Sequence, residues 1–152
     1  TLHIMKNFIL FAAFFISYVS FGQIKVIETI PTIRIGVIGQ NDIYIQKKAD
    51  EYTFFYKNVK QEEAPTMKSF SFKEIDNAFE NLHKIIESGF TAEPLLDIKL
   101  ELPNDYVWIH YSKNFGEVYM QFVTTKKDVF ENGFSKSLNL EQVNKLFGKS
   151  NM

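Results

Sequence analysis

The sequence predicts an α+β fold: a mainly antiparallel sheet of about six to eight strands, with one long helix at about 72–88 and one short helix at about 140–147. Three observations support this prediction. Residues 25–47 are rich in β-branched side chains and show no helical period. Residues 96–102 alternate between apolar and charged side chains, as in a half-exposed strand. Both predicted helices carry start and stop signals.

The first strands are predicted from composition. The stretch "KVIETIPTIRIGVIGQNDIYIQK" covers residues 25–47. Pro31 belongs at a strand end or edge, because proline lacks the N–H group that a β-ladder needs. Residues 39–42 have the composition of a turn. The aromatic-rich run "EYTFFYKNV" at 51–59 is the next predicted strand.

The long helix has the clearest local signals. Ser71 followed by Glu74 is a capping-box pattern, and Phe70 and Ile75 occupy the hydrophobic-staple positions. Gly89 supplies a left-handed stop. The apolar residues then fall on one helical face: Ile75, Ala78, Phe79, Leu82, Ile85 and Ile86.

This helical face predicts which side chains are buried. We expect Phe79 and Leu82 to be buried, and Glu80 and Asn81 not to be. His83 lies on the flank of the apolar face, so we expect a boundary histidine that is half in water.

The next segment, "LLDIKLELPNDYVWIHY", predicts a hairpin that begins an antiparallel meander with the later strand "EVYMQFVTT". Two registers compete. A two-residue loop at 103–104 buries the aliphatic side chains on one face. A three-residue loop at 103–105 turns Trp108 into the core. Turn chemistry favours three residues because proline cannot adopt the positive φ that a two-residue hairpin requires at its first loop position. The hydrophobic pattern favours two, and we choose that register.

The chosen register defines the candidate binding residues. It places Lys99 opposite Trp108 and Asp97 opposite His110, with Tyr106 on the same outward face. Lys99, Tyr106, Trp108 and His110 are therefore the predicted recognition surface, with a lysine cation beside an indole ring. The alternative is that the second helix or the amino-terminal strands cover this face.

The short helix is predicted from "SLNLEQVNKLFGK". Asn139 and Gln142 form a capping box, Leu138 and Val143 a hydrophobic staple, and Gly148 ends the helix. Its predicted inner face consists of Leu140, Val143, Leu146 and Phe147.

The amino terminus predicts export. Residues 5–22 have a charged start, an apolar run of 12 residues at 8–19, and small residues before a cleavage point between Gly22 and Gln23. The run is too short for a membrane-spanning helix and has no polar face, so an uncleaved anchor and a buried helix are the weaker alternatives. We expect Met5 to be the start, with the four residues before it being upstream read-through.

Composition limits the class of protein. Removal of residues 1–22 from the 152 leaves 130, which suits a single domain at 23–152. The absence of cysteine excludes disulfides, thiol chemistry and a lipid-anchored cysteine. Loss of Lys6 leaves 16 basic against 18 acidic residues, a net charge of −2. The lysines form no basic stripe, so we expect no nucleic-acid partner. Because cleavage would remove the apolar run at 8–19, we expect no membrane anchor afterwards.

The sequence contains no G-x-S-x-G or H-E-x-x-H motif, so no catalytic residue, metal ligand or cofactor is predicted. We predict an exported, periplasmic or secreted, non-catalytic module that binds a protein or a small ligand. The alternative is a small extracytoplasmic enzyme or inhibitor whose site forms only in three dimensions. An enzyme requires a pocket with perturbed titratable groups, whereas a binding module requires an exposed aromatic patch or an open sheet edge.

Three segments, "KSFSFKEIDNAFENLHKII", "LELPNDYVWI" and "QVNKLFGK", carry a resemblance. Together they resemble a group of short, uncharacterised exported bacterial proteins, over most of the chain after the predicted cleavage point. The resemblance implies export and a single domain, and it implies no activity.

Overall fold

The computed structural model describes residues 27–60 and 64–149. The predicted signal peptide and its cleavage site lie outside these residues. Within them the chain forms an α+β fold of eight strands and two helices. The elements are β1 (Thr32–Ile38), β2 (Ile43–Lys48), β3 (Glu51–Lys57), β4 (Met67–Lys73), α1 (Ala78–Gly89), β5 (Ile98–Glu101), β6 (Asp105–Asn114), β7 (Glu117–Lys126), β8 (Asn132–Phe134) and α2 (Leu140–Leu146).

The strands form two sheets rather than the single sheet that the sequence predicts. One sheet has the order β1-β2-β3-β4 and the other β5-β6-β7-β8, and every described pairing within them is antiparallel. Each sheet is a meander followed by one helix. The division follows from α1, which separates β4 from β5 in the chain, so that the two strands become edges of different sheets.

The inner faces of the two sheets share one core. Phe54 of β3 and Phe70 of β4 stack with ring centres 4.8 Å apart. Both rings contact Phe122 of β7, at 5.7 and 5.3 Å. The Tyr56 hydroxyl forms a hydrogen bond with the Thr124 side chain across the same interface. Aromatic packing of this kind is the main stabilising contribution of such a core.

The predicted capping box of the long helix is wrong. Ser71 lies in β4, where it pairs with Thr53, and α1 begins at Ala78 rather than near residue 72. Phe70 is buried in the sheet and Ile75 is 63% exposed, so they form no staple. The alternating run "MKSFSFK" forms a strand because it buries its phenylalanines against β3.

The chain turns from β4 into α1 through left-handed backbone. Asp76 and Asn77 have φ of 53° and 58°, a conformation that Asp and Asn tolerate better than most residues. The Asn77 side chain makes no capping bond. Instead, the Glu74 carboxylate accepts the Phe79 N–H at 3.3 Å, so an acidic group still serves the first turn.

Gly89 has a different role from the predicted stop. It is the last residue of α1 and does not adopt the left-handed conformation with positive φ. A Cβ at this position would lie 2.1 Å from the Tyr111 ring. The Tyr111 hydroxyl donates to the Ile86 carbonyl at 2.6 Å. Glycine is therefore required because the tyrosine crosses close to the helix.

The two helices pack against each other through His83. This side chain is only 4% exposed, which corrects the expected half-exposed position. Its Nε2 lies 2.8 Å from Asn144 Oδ1, and its ring centre lies 5.0 Å from that of Phe147. The polar ring is buried because α2 provides a hydrogen-bond partner.

The burial pattern of α1 partly matches the prediction. Leu82 is buried and Asn81 exposed, as expected. Phe79 and Glu80 are both partly buried. The short helix is confirmed: Asn139 and Gln142 form the capping box, and Gly148 follows with φ of 72°.

Candidate functional site

The β5–β6 hairpin adopts the two-residue loop. The Leu102 N–H donates to the Asp105 carbonyl at 2.8 Å, and Lys99 lies directly opposite Trp108. The preference of turn chemistry for three loop residues is therefore wrong here. The chosen register wins because it directs Val107 and Ile109 inward, where both are fully buried.

The predicted recognition residues share the outward face of the second sheet. Trp108 is 36% exposed, His110 is exposed, and Tyr106 is half-buried. The α2 helix packs on the other sheet, where its backbone comes close to Gly36 of β1. Of the alternative coverings, the one by α2 is therefore wrong.

One row of side chains crosses this face from strand to strand. Lys99 pairs with Trp108, Trp108 with Val123, and Val123 with Phe134. The row continues beyond β8, because the Lys60 ammonium lies 3.9 Å from the centre of the Phe134 ring. A lysine thus lies at each end of a row whose centre is apolar.

The segment after β3 brings Lys60 to this row. The Val59 N–H donates to the Phe134 carbonyl at 2.9 Å. The Phe134 N–H in turn donates to Asn58 Oδ1 at 3.1 Å. These bonds attach the first half of the chain to the edge strand of the second sheet.

Lysine and aromatic side chains contact each other on this face. The Lys99 ammonium lies 4.4 Å from the ring centre of Tyr106 and 4.9 Å from that of Trp108. Lys127 approaches Tyr106 at 4.8 Å and forms an ion pair of 2.8 Å with Glu101, whose pKa is lowered by that bond. Within residues 27–60 and 64–149, Lys99 forms no ion pair, so its charge is available to a ligand.

Asp97 and His110 form a polar pair beside the indole. The Nδ1 of His110 lies 2.9 and 3.0 Å from the two carboxylate oxygens. The Tyr111 N–H approaches the same carboxylate at 3.4 Å. When the imidazole is neutral, an Nδ1–H that donates to Asp97 leaves Nε2 as a hydrogen-bond acceptor.

Side chains of this face line an open depression of about 380 Å³. Trp108 and Phe134 stand on either side of Val123, and Gln121 lies beside His110 on the neighbouring strand. The lining consists of Lys60, Asp97, Trp108, His110, Gln121, Val123 and Phe134. It combines an apolar strip of Trp108, Val123 and Phe134 with four polar or charged side chains that can orient a small ligand.

Sequence reasoning missed part of this lining. Gln121 and Val123 lie two residues apart on β7, so the predicted strand is the signal that could have placed them on one face. Phe134 belongs to a strand of three residues, too short to show an alternation. Lys60 reaches the site only through tertiary contact, and no local pattern identifies it.

Among the described residues, the titratable groups with the largest pKa shifts lie outside the depression. Burial raises the pKa of Tyr56 to about 12, and burial likewise raises the pKa of Tyr111, both in the core. Hydrogen bonds from Lys57 and then Lys136 lower the pKa of the Asp42 carboxyl. The Asp42 carboxylate forms ion pairs with these two lysines at 2.9 and 3.3 Å. These ion pairs attach the β1–β2 turn to neighbouring segments, which is a structural role.

The described part of the chain shows neither a cluster of three or more potential metal ligands nor a helix long and apolar enough to cross a membrane. Comparison of the whole chain with protein-family models, curated proteins and solved structures gives no match.

Proposed function

We propose that this protein is an exported, non-catalytic binding module, and that it binds a small ligand on the outward face of its second sheet. The depression between Trp108 and Phe134 carries this proposal. Lys99, Tyr106 and His110 complete the binding surface. The signal-peptide pattern of residues 5–22 supports action in the periplasm or outside the cell.

The other sheet gives a useful contrast. It also presents outward aromatic side chains, but Tyr44 and Phe55 stack on each other at 4.9 Å, and Arg34 lies over Tyr44 at 4.3 Å. Those rings use each other for packing. Trp108 and Phe134 are instead separated by Val123, and each is approached by a lysine, so within the described residues neither ring stacks on another ring.

A second candidate is a small enzyme at the same place. It is favoured by the Asp97–His110 pair, because a carboxylate on Nδ1 orients a histidine to act as a base through Nε2. Among the described residues, Asp97 is the hydrogen-bond partner of the His110 ring. Such an enzyme would activate water rather than a side-chain nucleophile. Turnover of a bound compound that disappears in His110→Ala would favour this candidate.

The proposal is tested with a panel of small molecules that includes sugars, amino acids, nucleotides and aromatic acids. We expect at least one compound to raise the melting temperature of the wild-type protein by mass action. The effect should be lost in Trp108→Ala and kept in Tyr44→Ala, which removes an outward aromatic side chain from the other sheet. Equal effects on both variants, or no effect of any compound on the wild type, would count against binding at this face.

A further inference from the structure

We infer that the depression binds a single planar ring that carries an acidic group, such as an aromatic carboxylate or a nucleoside monophosphate. This inference depends on the proposed function, because it names the ligand class of the same site. It follows from the spacing of the two aromatic walls, from the position of the lysines, and from the polar groups at the opposite end.

The spacing of the walls fits one ring. Trp108, Val123 and Phe134 are direct partners on β6, β7 and β8. Neighbouring strands lie about 4.8 Å apart, so the two aromatic residues start about 9.6 Å from each other. A flat ring in contact with both walls needs about 7–8 Å. Val123 is short enough to form the floor beneath that ring.

The lysines lie at the two ends of this row. Lys99 approaches Trp108 from β5, on the side away from Val123. Lys60 comes from the segment beyond β8, contacts the Phe134 ring and also lines the depression. A planar ligand above Val123 would therefore stack on Trp108 and meet Phe134 together with the Lys60 ammonium on its other side.

Charge determines the orientation of the ligand. Lys60 lines the depression at its Phe134 end, whereas the Asp97 carboxylate lies at the other end and is held by His110. An acidic group is attracted to the ammonium and repelled by the carboxylate. The acidic group therefore lies beside Lys60, and the remainder of the ring points toward Asp97 and His110.

The polar end selects a hydrogen-bond donor. The Gln121 amide nitrogen donates to the Ser135 carbonyl at 2.6 Å, which leaves its side-chain oxygen as an acceptor. In the tautomer whose Nδ1–H donates to Asp97, His110 offers Nε2 as a second acceptor. A ring with an O–H or N–H opposite its acidic group satisfies both ends of the site.

The test uses matched compounds and the fluorescence of Trp108, the only tryptophan of the chain. The probe is 4-hydroxyphenylacetate. Its neutral amide removes the charge, and cyclohexylacetate removes the planar ring. Uridine 5′-monophosphate tests whether a phosphate replaces the carboxylate. We expect the acid or the nucleotide to bind about tenfold more tightly than both the amide and cyclohexylacetate.

Two charge variants test the orientation. Lys60→Gln should weaken binding of the acid about tenfold and leave binding of the amide unchanged. Lys113→Gln, which removes a lysine from the exposed end of β6, should bind both as the wild type does. Phe134→Ala should weaken binding of the ring compounds, and its melting curve shows whether it is folded.

The outcomes separate this inference from the proposal beneath it. Tighter binding of a planar anion, with loss in Lys60→Gln, supports the inference. Trp108-dependent binding of a neutral sugar, without binding of any planar anion, overturns the ligand class and leaves the binding surface in place. Absence of Trp108-dependent binding across these probes and the wider panel overturns both.

Discussion

Lys99 lies directly opposite Trp108 across the β5–β6 hairpin, with its ammonium 4.9 Å from the centre of the indole ring. This one pairing fixes the face to which every residue of the hairpin belongs, because neighbouring side chains on a strand point to opposite sides. It directs Trp108 outward and creates the proposed binding surface.

Phe79 should be an important part of the packing between α1 and its neighbours. Its ring lies 4.2 Å from that of Tyr52 and 4.8 Å from that of Phe147. We expect Phe79→Ala to lower the free energy of unfolding by about 3 kcal/mol. Chemical denaturation measures this, with Lys84→Ala on the exposed face of α1 as control. A Phe79→Ala change no larger than that of the control would mean that this face is not packed.

The two predicted capping residues should respond differently to substitution by alanine, because Asn139 caps a helix and Ser71 lies in a strand. Asn139→Ala removes a real capping bond of 2.9 Å to the Gln142 N–H and should cost about 1 kcal/mol. Ser71→Ala lies in β4 and should change stability by less than about 0.5 kcal/mol. Thermal unfolding compares the stability of the two variants. A larger loss of stability in Ser71→Ala than in Asn139→Ala would support the capping box predicted at Ser71 and contradict its place in β4.

Gly89 should tolerate no side chain. A Cβ there would lie within 2.4 Å of three atoms of Tyr111, so α1 and β6 would have to separate. We expect Gly89→Ala to lower the free energy of unfolding by about 1–3 kcal/mol, although alanine is the better helix former. Glu87→Ala, two residues earlier and exposed, is the control. A gain of stability in Gly89→Ala would contradict the close approach of Tyr111.

Stability should fall at high pH because of Tyr56. Burial raises its pKa in the folded protein from the ordinary 10.0 to about 12. The folded state therefore favours the protonated phenol, and this stabilisation is complete below pH 10 and is lost as the pH rises toward 12. We expect a loss of up to about 3 kcal/mol over this window.

Tyr56→Phe isolates this effect, because every other titratable group is the same in both proteins. Urea unfolding across the window should show a shallower pH dependence in Tyr56→Phe than in the wild type. Parallel pH profiles would show that Tyr56 does not contribute to the alkaline loss of stability.

Sequence patterns predicted the elements whose two faces differ most in polarity. The register of β5 and β6 followed from the alternation around Lys99 and Glu101, since a slip of one residue would bury both charges. The same reasoning failed to count sheets. Which strands become neighbours depends on where α1 interrupts the run of strands. The alternation of side chains within one strand does not specify its neighbour.

The error at β4 has a physical cause. Ser71 and Glu74 match a helix cap locally, but Phe70 and Phe72 gain more by burial against the first sheet. A capping box contributes about 1 kcal/mol, whereas burial of each phenylalanine contributes about 2–3 kcal/mol. Tertiary packing therefore decided the boundary of α1.

Lys60 and Phe134 show the limit of sequence reasoning for the site. They meet because the Val59 N–H bonds to the Phe134 carbonyl, between segments far apart in the chain. A pairing between distant segments leaves no local signal in either one. The half of the depression formed by β5 and β6 was predictable, and the half completed by β8 was not.

The exposure of Trp108 tests the central claim most directly, because the chain contains one tryptophan and its fluorescence reports on this site alone. An outward indole that is 36% exposed predicts long-wavelength emission and acrylamide quenching intermediate between that of a buried tryptophan and that of the chain unfolded in denaturant. Short-wavelength emission that acrylamide does not quench would place the indole in the core and contradict the proposed binding surface.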